Sequence, residues 1–304
     1  YIYNRILLAS MAAIGLQFLL GTAGLVSVGN SAFLLIGSFG AVICLNSGIN
    51  FPFDLFFVLI VSGFVGLIAG LPSLRIRALF LALSTLAVFY ISVFFGNLYQ
   101  SRDPDAAAAG FVIQKVFQSY GFTNGGHYWA WLLTGFAGFV ILIINRLMHE
   151  KSGRAYRMIR DHEFVAESLG IPVFRYKLFA FVISSMIVGT VGDLMAHFSG
   201  MVSTENFSVA IAFEFIAMIV IGGLDSVVGA IIGAVVVVGL PTIVPNLIGP
   251  LIGTSNAAVN GPNISVILYG TLVIVFVTSS PDGVVGLLRV FRRKLYALVL
   301  RSKQ

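Results

Sequence analysis

Four histidines, twelve acidic residues and one cysteine are what this 304-residue chain offers to acid–base, metal or thiol chemistry. Their spacing does not assemble an enzyme. His149-Glu150 begins a zinc-hydrolase word in which two histidines four apart on one helix face hold the metal, but Gly153 occupies the second ligand position. His127, His149, His162 and His197 fall in different parts of the chain, and Cys44 lies alone in an apolar run, so neither a thiolate cluster nor an intramolecular disulfide framework is expected. Carboxylate pairs, a nucleophile elbow and the G-x-x-x-x-G-K-[ST] phosphate loop are all missing from the sequence. The reading is of a non-enzyme with no catalytic residue, cofactor or metal of its own.

Ionisable residues inside apolar runs are costly and default to functional candidates. Asp193 and His197 are spaced i,i+4, which puts both on one helix face where each can satisfy the other. A pathway or gating role and a structural hydrogen bond between helices are both open. Glu214 opens the apolar run 211–240, as a pathway group or as an acid stabilised by the helix dipole. Asp54 follows Pro52 at a segment boundary and reads as a cap.

The elements that carry these residues follow from composition. Hydrophobic residues make up 58% of the chain and charged ones 10%, against about 25% charged in soluble domains, and the mean hydropathy is +1.00. Apolar segments run at about 6–26, 31–48, 53–71, 78–96, 129–147, 178–198, 211–240 and 264–280. Several match the ~20 residues that a bilayer core requires. The expectation is an all-α polytopic membrane protein, a single permease domain over 1–304 with 8–9 membrane segments. No run resembles a cleavable signal peptide, and the absence of an initiator Met before Tyr1 suggests a missing native start.

Fifteen of the eighteen Lys and Arg residues cluster around Arg75 and Arg77, between Arg146 and Lys177, and from Arg289 onward. The positive-inside rule makes all three clusters cytoplasmic. This explains the +6 net charge without nucleic acid and leaves 97–128 as an external loop, in which 106–120 reads as a short surface helix carrying Val112, Ile113, Val116, Phe117 and Tyr120. Parity puts Tyr1 outside, so an upstream helix would restore a cytoplasmic start. The same parity requires 211–240 to cross an even number of times. The basic stretch 283–304 reads as a cytoplasmic tail held at anionic lipid.

Two apolar regions are interrupted. Gly222-Gly223-Leu224-Asp225-Ser226 divides 211–240 into pieces short for full spans, and Gly24–Ser31 separates the first two segments with almost no charge. Broken or re-entrant helices near 24–37 and 211–240 are expected, with one long tilted helix containing a Gly kink as the alternative for 211–240. Irregular backbone at membrane depth has to line a cavity or be buried in protein, and in transporters it marks substrate sites. Ser27, Asn30, Asp193, His197, Glu214, Asp225 and Ser226 are therefore the translocation-pathway candidates. Gly63, Gly66 and Gly70, and likewise Gly229 and Gly233, have the small-residue spacing of close helix packing.

The most patterned polar stretch, within a loop over 148–174, is Ser152–Ile171, SGRAYRMIRDHEFVAESLGI. It reads as one helix ended by Gly170 and Pro172. Met158, His162, Val165 and Leu169 form one stripe, and Arg154, Arg157 and Asp161 another. A docking face and a merely solvated face are the alternatives.

These residues resemble the coupling loop of the branched-chain amino-acid ABC transporter permeases, roughly G-R-A-x-R-x-I-R-x-x-E-x-A-A-E-x-x-G-I. Gly153, Arg154, Ala155, Arg157, Ile159, Arg160, Glu163, Ala166, Glu167, Gly170 and Ile171 match it. Gly24, Ser27, Gly29, Ala32, Phe33, Ile36 and Gly37 fit that family's early glycine pattern, Leu71–Arg77 its L-P-x-L-R-x-R loop, and Pro281-Asp282-Gly283 with Gly286 its closing motif. The chain is similar to the M-type subunit.

The resemblance implies a bacterial inner-membrane importer. Its parts would be this chain, a second permease subunit in a heterodimer, two cytoplasmic ATP-binding subunits and an external solute-binding protein. It also implies that Arg154, Arg157, Arg160, Glu163, Ala166 and Gly170 form the ATPase-coupling surface. The implied solute is a branched-chain or related amino acid, although similar permeases handle urea, amides, aromatic acids and sugars. Asn30 replaces a frequent His, Asp225 a frequent Gly, and Ser101–Asp105 with four alanines a Gly-rich stretch. The rival class is an ATP-independent secondary transporter or channel with Asp193 and His197 as a proton relay.

Overall fold

The computed structural model describes residues 2–74, 78–113, 125–252 and, beyond these, 264, 267, 270, 271, 274, 275 and 283–286. The Arg75–Arg77 loop, residues 114–124 and the tail from 287 lie outside the described residues, as does most of the expected 264–280 segment.

A helix is the simplest way for apolar chain to satisfy its own amide groups where water is absent, and helices provide nearly all the regular structure. They are α1 (Ile2–Gln17), continued by a π-helical turn over Phe18–Thr22; α2 (Asn30–Asn46); α3 (Phe53–Ser73); α4 (Ala78–Gln100); α5 (Pro104–Ala109); α6 (Gly125–His149); α7 (Lys151–Asp161); α8 (Glu163–Ser168); α9 (Val173–Ser199); α10 (Val209–Gly222); and α11 (Val227–Ile252). Among the described residues, six helical stretches are long and apolar enough to cross a membrane: Ile2–Thr22, Phe53–Ser73, Leu81–Gln100, His127–His149, Val173–Ser199 and Thr204–Gly222. Asn30–Asn46 and Val227–Pro241 are shorter apolar helices. The protein is an all-α multi-pass membrane protein.

The fold is organised around α9. On one side α2 runs antiparallel to it, with Gly37 against Gly189 and Gly192 against Leu34, so close that a methyl group on Gly37 or Gly192 would overlap backbone, while one on Gly189 would strike the Ser62 side chain of α3. Ser38 closes this contact by donating to the Gly192 carbonyl at 2.7 Å. On the other side α3 lays Gly63, Gly66 and Gly70 against Met186, Ser185 and Leu178. The small-residue spacing read from α3 thus serves helix approach.

Both interruptions are present. Regular helix stops after Thr22 and resumes at Asn30, so the irregular part of the 24–37 region ends with α2 already formed. In the second region α10 ends at Gly223 (φ +117) and the chain reverses, bringing Gly222 onto Gly229 and Met218 onto Gly233. The long-tilted-helix alternative is excluded, because these glycines let two antiparallel helices touch at backbone distance. The 14 residues of α10 alone span ~21 Å, and only together with the 3-10 turn at Thr204–Asn206 does this stretch reach the length of a membrane span. Gly283 (φ +62) packs on the break at Gly222-Gly223.

Three local expectations are corrected. The Ser152–Ile171 helix is divided at His162 (φ −147, ψ 79); the turn lets Ile159 of α7, Ala166 of α8 and Val173 of α9 share one small core. Of the expected surface helix over 106–120, the described residues form helix only in α5, which Gly110 (φ +82) ends. Phe111–Val112 then pairs as β1 with β2 (Met201–Val202) in an antiparallel bridge; residues 114–120 lie outside the described part. Glu214 does not open its helix, which begins at Val209 after the extended Ser208.

Candidate functional site

The polar residues fall into two groups. The first surrounds α7 and α8. Gly153 lets α7 press onto the carbonyl of Met148 at the end of α6, where any side chain would collide. Tyr156 is buried, stands edge-on to Phe18 of the π-helical turn at 5.4 Å and to Tyr176 of α9 at 5.4 Å, and donates to the Tyr176 carbonyl at 3.2 Å. Burial, with a smaller contribution from Tyr176, pushes its phenol above the usual tyrosine range and keeps it a neutral donor.

Arg160 reaches past Gly24 (φ +70) and donates to both the Gly21 carbonyl and the Asp225 carboxylate, while its Nε donates to Asp161 at 3.1 Å. Burial opposes its charge, but its hydrogen bonds to Asp225 and Asp161 and the charges of those carboxylates outweigh that and raise its pKa. Gln17 donates from Nε2 to the Leu224 carbonyl at 2.9 Å. Ser226 accepts from the Gly229 amide at 3.2 Å, an N-cap bond for α11. One side chain of α7 therefore ties together the π-helical turn and the α10–α11 break. A recess of about 270 Å³ lined by Gly21, Thr22, Met148, Gly153, Arg157, Arg160 and Asp225 lies there.

The remaining coupling candidates are disposed unequally. Arg154 and Arg157 are exposed, whereas Ala166 is buried in the small core. Glu163 pairs with Lys177 of α9 at 2.5 Å, fixing α8 on its neighbour. Gly170 ends α8 with φ +79 and is exposed. Around them Met158, Phe164, Val165 and Leu169 are exposed apolar side chains, Phe164 the most at 86%. Three of these four belong to the stripe read from the sequence; Phe164 was missed because it sits off that stripe in an unbroken helix.

The second group is sealed. Asp54, Asp193 and His197 have no exposed surface. Asp54 is not the cap expected of it, since Pro52 holds that position without a side-chain cap bond; Asp54 lies in the first turn of α3, accepts from its neighbour Leu55 N at 2.9 Å, and places its other oxygen 2.5 Å from His197 Nε2. The i,i+4 pair is looser: Asp193 Oδ1 is 4.0 Å from His197 Nε2. No spacing rule finds the Asp54–His197 bond, because 143 positions separate its partners.

Ser27 and Asn30 are buried beside α4, where Val28 N donates to Thr85 Oγ1 at 3.1 Å and Gly29 N to Ser27 Oγ at 3.3 Å. The Asn30 amide nitrogen has no hydrogen-bond partner among the described residues. Glu214 is half-buried within α10, on a helix packed against α1. The pathway candidates are thus divided: Asp225 and Ser226 join the α7 assembly, Asp193 and His197 join Asp54, and Ser27, Asn30 and Glu214 stay apart.

The sequence profile of the family described as branched-chain amino acid transport system / permease component matches residues 1–277. Among curated proteins, the chain is 29% identical over 247 residues to the high-affinity branched-chain amino acid transport system permease protein LivM of Salmonella typhimurium, and 28% identical to LivM of Escherichia coli. Each alignment covers 73% of this chain and 57% of the relative, so the chain spans little more than half the length of these proteins. It is also 26% identical to the probable branched-chain amino acid transport permease protein LivH of Methanocaldococcus jannaschii, over 76% of this chain and 75% of that one. No solved structure matches it. The match over residues 1–277 covers both helix breaks and the α7–α8 module between them, and by it the chain belongs to the family of branched-chain amino acid transport system permease components.

Proposed function

We propose that this chain is the M-type, membrane-spanning permease subunit of an ABC importer in a bacterial inner membrane, moving a branched-chain or related amino acid. Its partners are a second permease subunit, two cytoplasmic ATP-binding subunits and an external solute-binding protein. The observation that carries this reading is the α7–α8 module. It offers exposed cations (Arg154, Arg157) and exposed apolar residues (Met158, Phe164, Val165, Leu169) to a partner, while Tyr156 and Arg160 reach into the fold.

The geometry suggests how work by a motor subunit reaches the membrane. A partner pushing on α7 moves Tyr156 and Arg160, and with them the π-helical turn and the α10–α11 break. Non-helical backbone has unpaired groups that can exchange partners, so these are the places where a helix can bend or re-seat at low cost. The Arg160–Asp225 pair is part-exposed and therefore weak in net terms, about 0–1 kcal/mol. Such a latch can open and close within the energy of ATP binding or hydrolysis.

Copurification tests the reading. The cognate ATPase is expected to be retained by the wild-type permease and lost on Glu163→Ala, which frees α8 from α9, and on Phe164→Asp, which charges the exposed face. Solute flux into proteoliposomes that contain this chain alone, without ATP, would overturn it in favour of a secondary transporter. Binding by the external protein decides the substrate: preference for urea or a sugar over leucine would overturn the amino-acid assignment.

A further inference from the structure

The charged cluster at the C-terminal end of α9 is not used by the coupling assembly, and it is unbalanced. Asp54, Asp193 and His197 are fully buried, and each offers a ligand atom within 4.8 Å of the others. Phe51 stands edge-on to the His197 ring at 5.6 Å, and Trp129 packs on Phe51 and Phe198. Neither oxygen of Asp193 has a hydrogen-bond partner among the described residues, nor does Nδ1 of His197.

Two carboxylates and an imidazole carry a net charge of −2, or −1 with the imidazole protonated. No Lys or Arg among the described residues pairs with them. A buried charge without compensation is costly. A proton on Asp193 would cancel one charge but leave its second oxygen without a donor. A divalent cation neutralises both carboxylates while the imidazole stays neutral, and it gives the Asp193 oxygens a partner.

We propose that Asp54, Asp193 and His197 form a binding site for a small divalent cation. One nitrogen and two carboxylate donors suit Zn²⁺ or Mn²⁺ better than the all-oxygen preference of Ca²⁺. Ligands about 2.1 Å from a tetrahedral ion stand roughly 3.4 Å apart. The observed separations of 2.5 Å and 4.0 Å lie on either side of that value, so filling the site needs adjustments below about an ångström. Three protein donors leave a fourth position for water.

The test uses the full chain in lipid nanodiscs, stripped with chelator and titrated with Zn²⁺ or Mn²⁺. About one equivalent is expected to bind saturably and to raise the melting midpoint. Asp193→Asn, which keeps the shape, and His197→Gln should each weaken binding tenfold or more and remove the metal-dependent rise. Pulsed electron paramagnetic resonance on the Mn²⁺-loaded wild type needs no variant and should show imidazole nitrogen coupling. Absence of saturable binding, absence of that coupling, or unchanged binding by Asp193→Asn would overturn the proposal. So would a more stable Asp193→Asn protein with neither form binding metal, since the cluster would then hold protons alone.

Discussion

The two charged clusters sit toward opposite ends of α9 and have opposite characters. Near its N-terminal end, Arg160 and Asp225 are 29% and 54% exposed and are supplemented by the Gly21 carbonyl and Asp161. Near its C-terminal end, Asp54, Asp193 and His197 are sealed, and Asp193 lacks any hydrogen-bond partner among the described residues. In the first, water can replace a lost partner, so the link is easily broken and remade. In the second, a lost partner leaves a charge stranded in a low dielectric. One end is built to exchange partners and the other to hold them, and the helix between them is keyed to α2 and α3 by closely packed glycines.

The sharpest way to break this contrast is to strand a charge at the sealed end. His197→Ala is expected to destabilise the permease by about 3–5 kcal/mol, read as unfolding at lower denaturant in mixed micelles. A cost no larger than that of Arg160→Ala would erase the distinction. Gly37→Ala probes the rigid connection: its methyl group meets the Gly189 carbonyl, and overpacking should cost about 1–3 kcal/mol in the same assay. Thr85→Val removes the acceptor for Val28 N and should cost about 1 kcal/mol.

Arg160→Ala should change stability by only about 0–1 kcal/mol, yet reduce ATP-driven uptake by roughly tenfold or more, the ~1.4 kcal/mol that tenfold represents being a loss of transmission. Unimpaired uptake by this variant would remove the latch from the mechanism. Exposed Arg154 marks the lower limit: Arg154→Ala should leave stability within about 0.5 kcal/mol and show its effect only in reduced copurification of the ATPase.

Much of the architecture was legible in the residues. The apolar segments, the breaks at Gly24–Ser31 and Gly222–Ser226 and the α7–α8 module are all written in local composition and glycine placement. Local rules failed where a distant contact competed with them. Ser152–Ile171 has the pattern of one helix, but burying Ile159 and Ala166 against Val173 favours a break at His162. Residues 106–112 have helical spacing, but Gly110 and the strand at Met201–Val202 offer a different partner.

The sequence by itself determined that this chain lives in a bilayer and that its apolar segments break at Gly24–Ser31 and Gly222–Ser226. Bilayer thickness, the need to pair every amide group and the cost of charge all act over neighbouring residues. Only the tertiary structure decided which polar groups meet: that Arg160 reaches Asp225 and the Gly21 carbonyl, and that Asp54 rather than Asp193 is the hydrogen-bond partner of His197. Those pairings join residues 65, 139 and 143 positions apart, and they exist because close-packed glycines bring the helices together, a long-range consequence that no spacing rule contains.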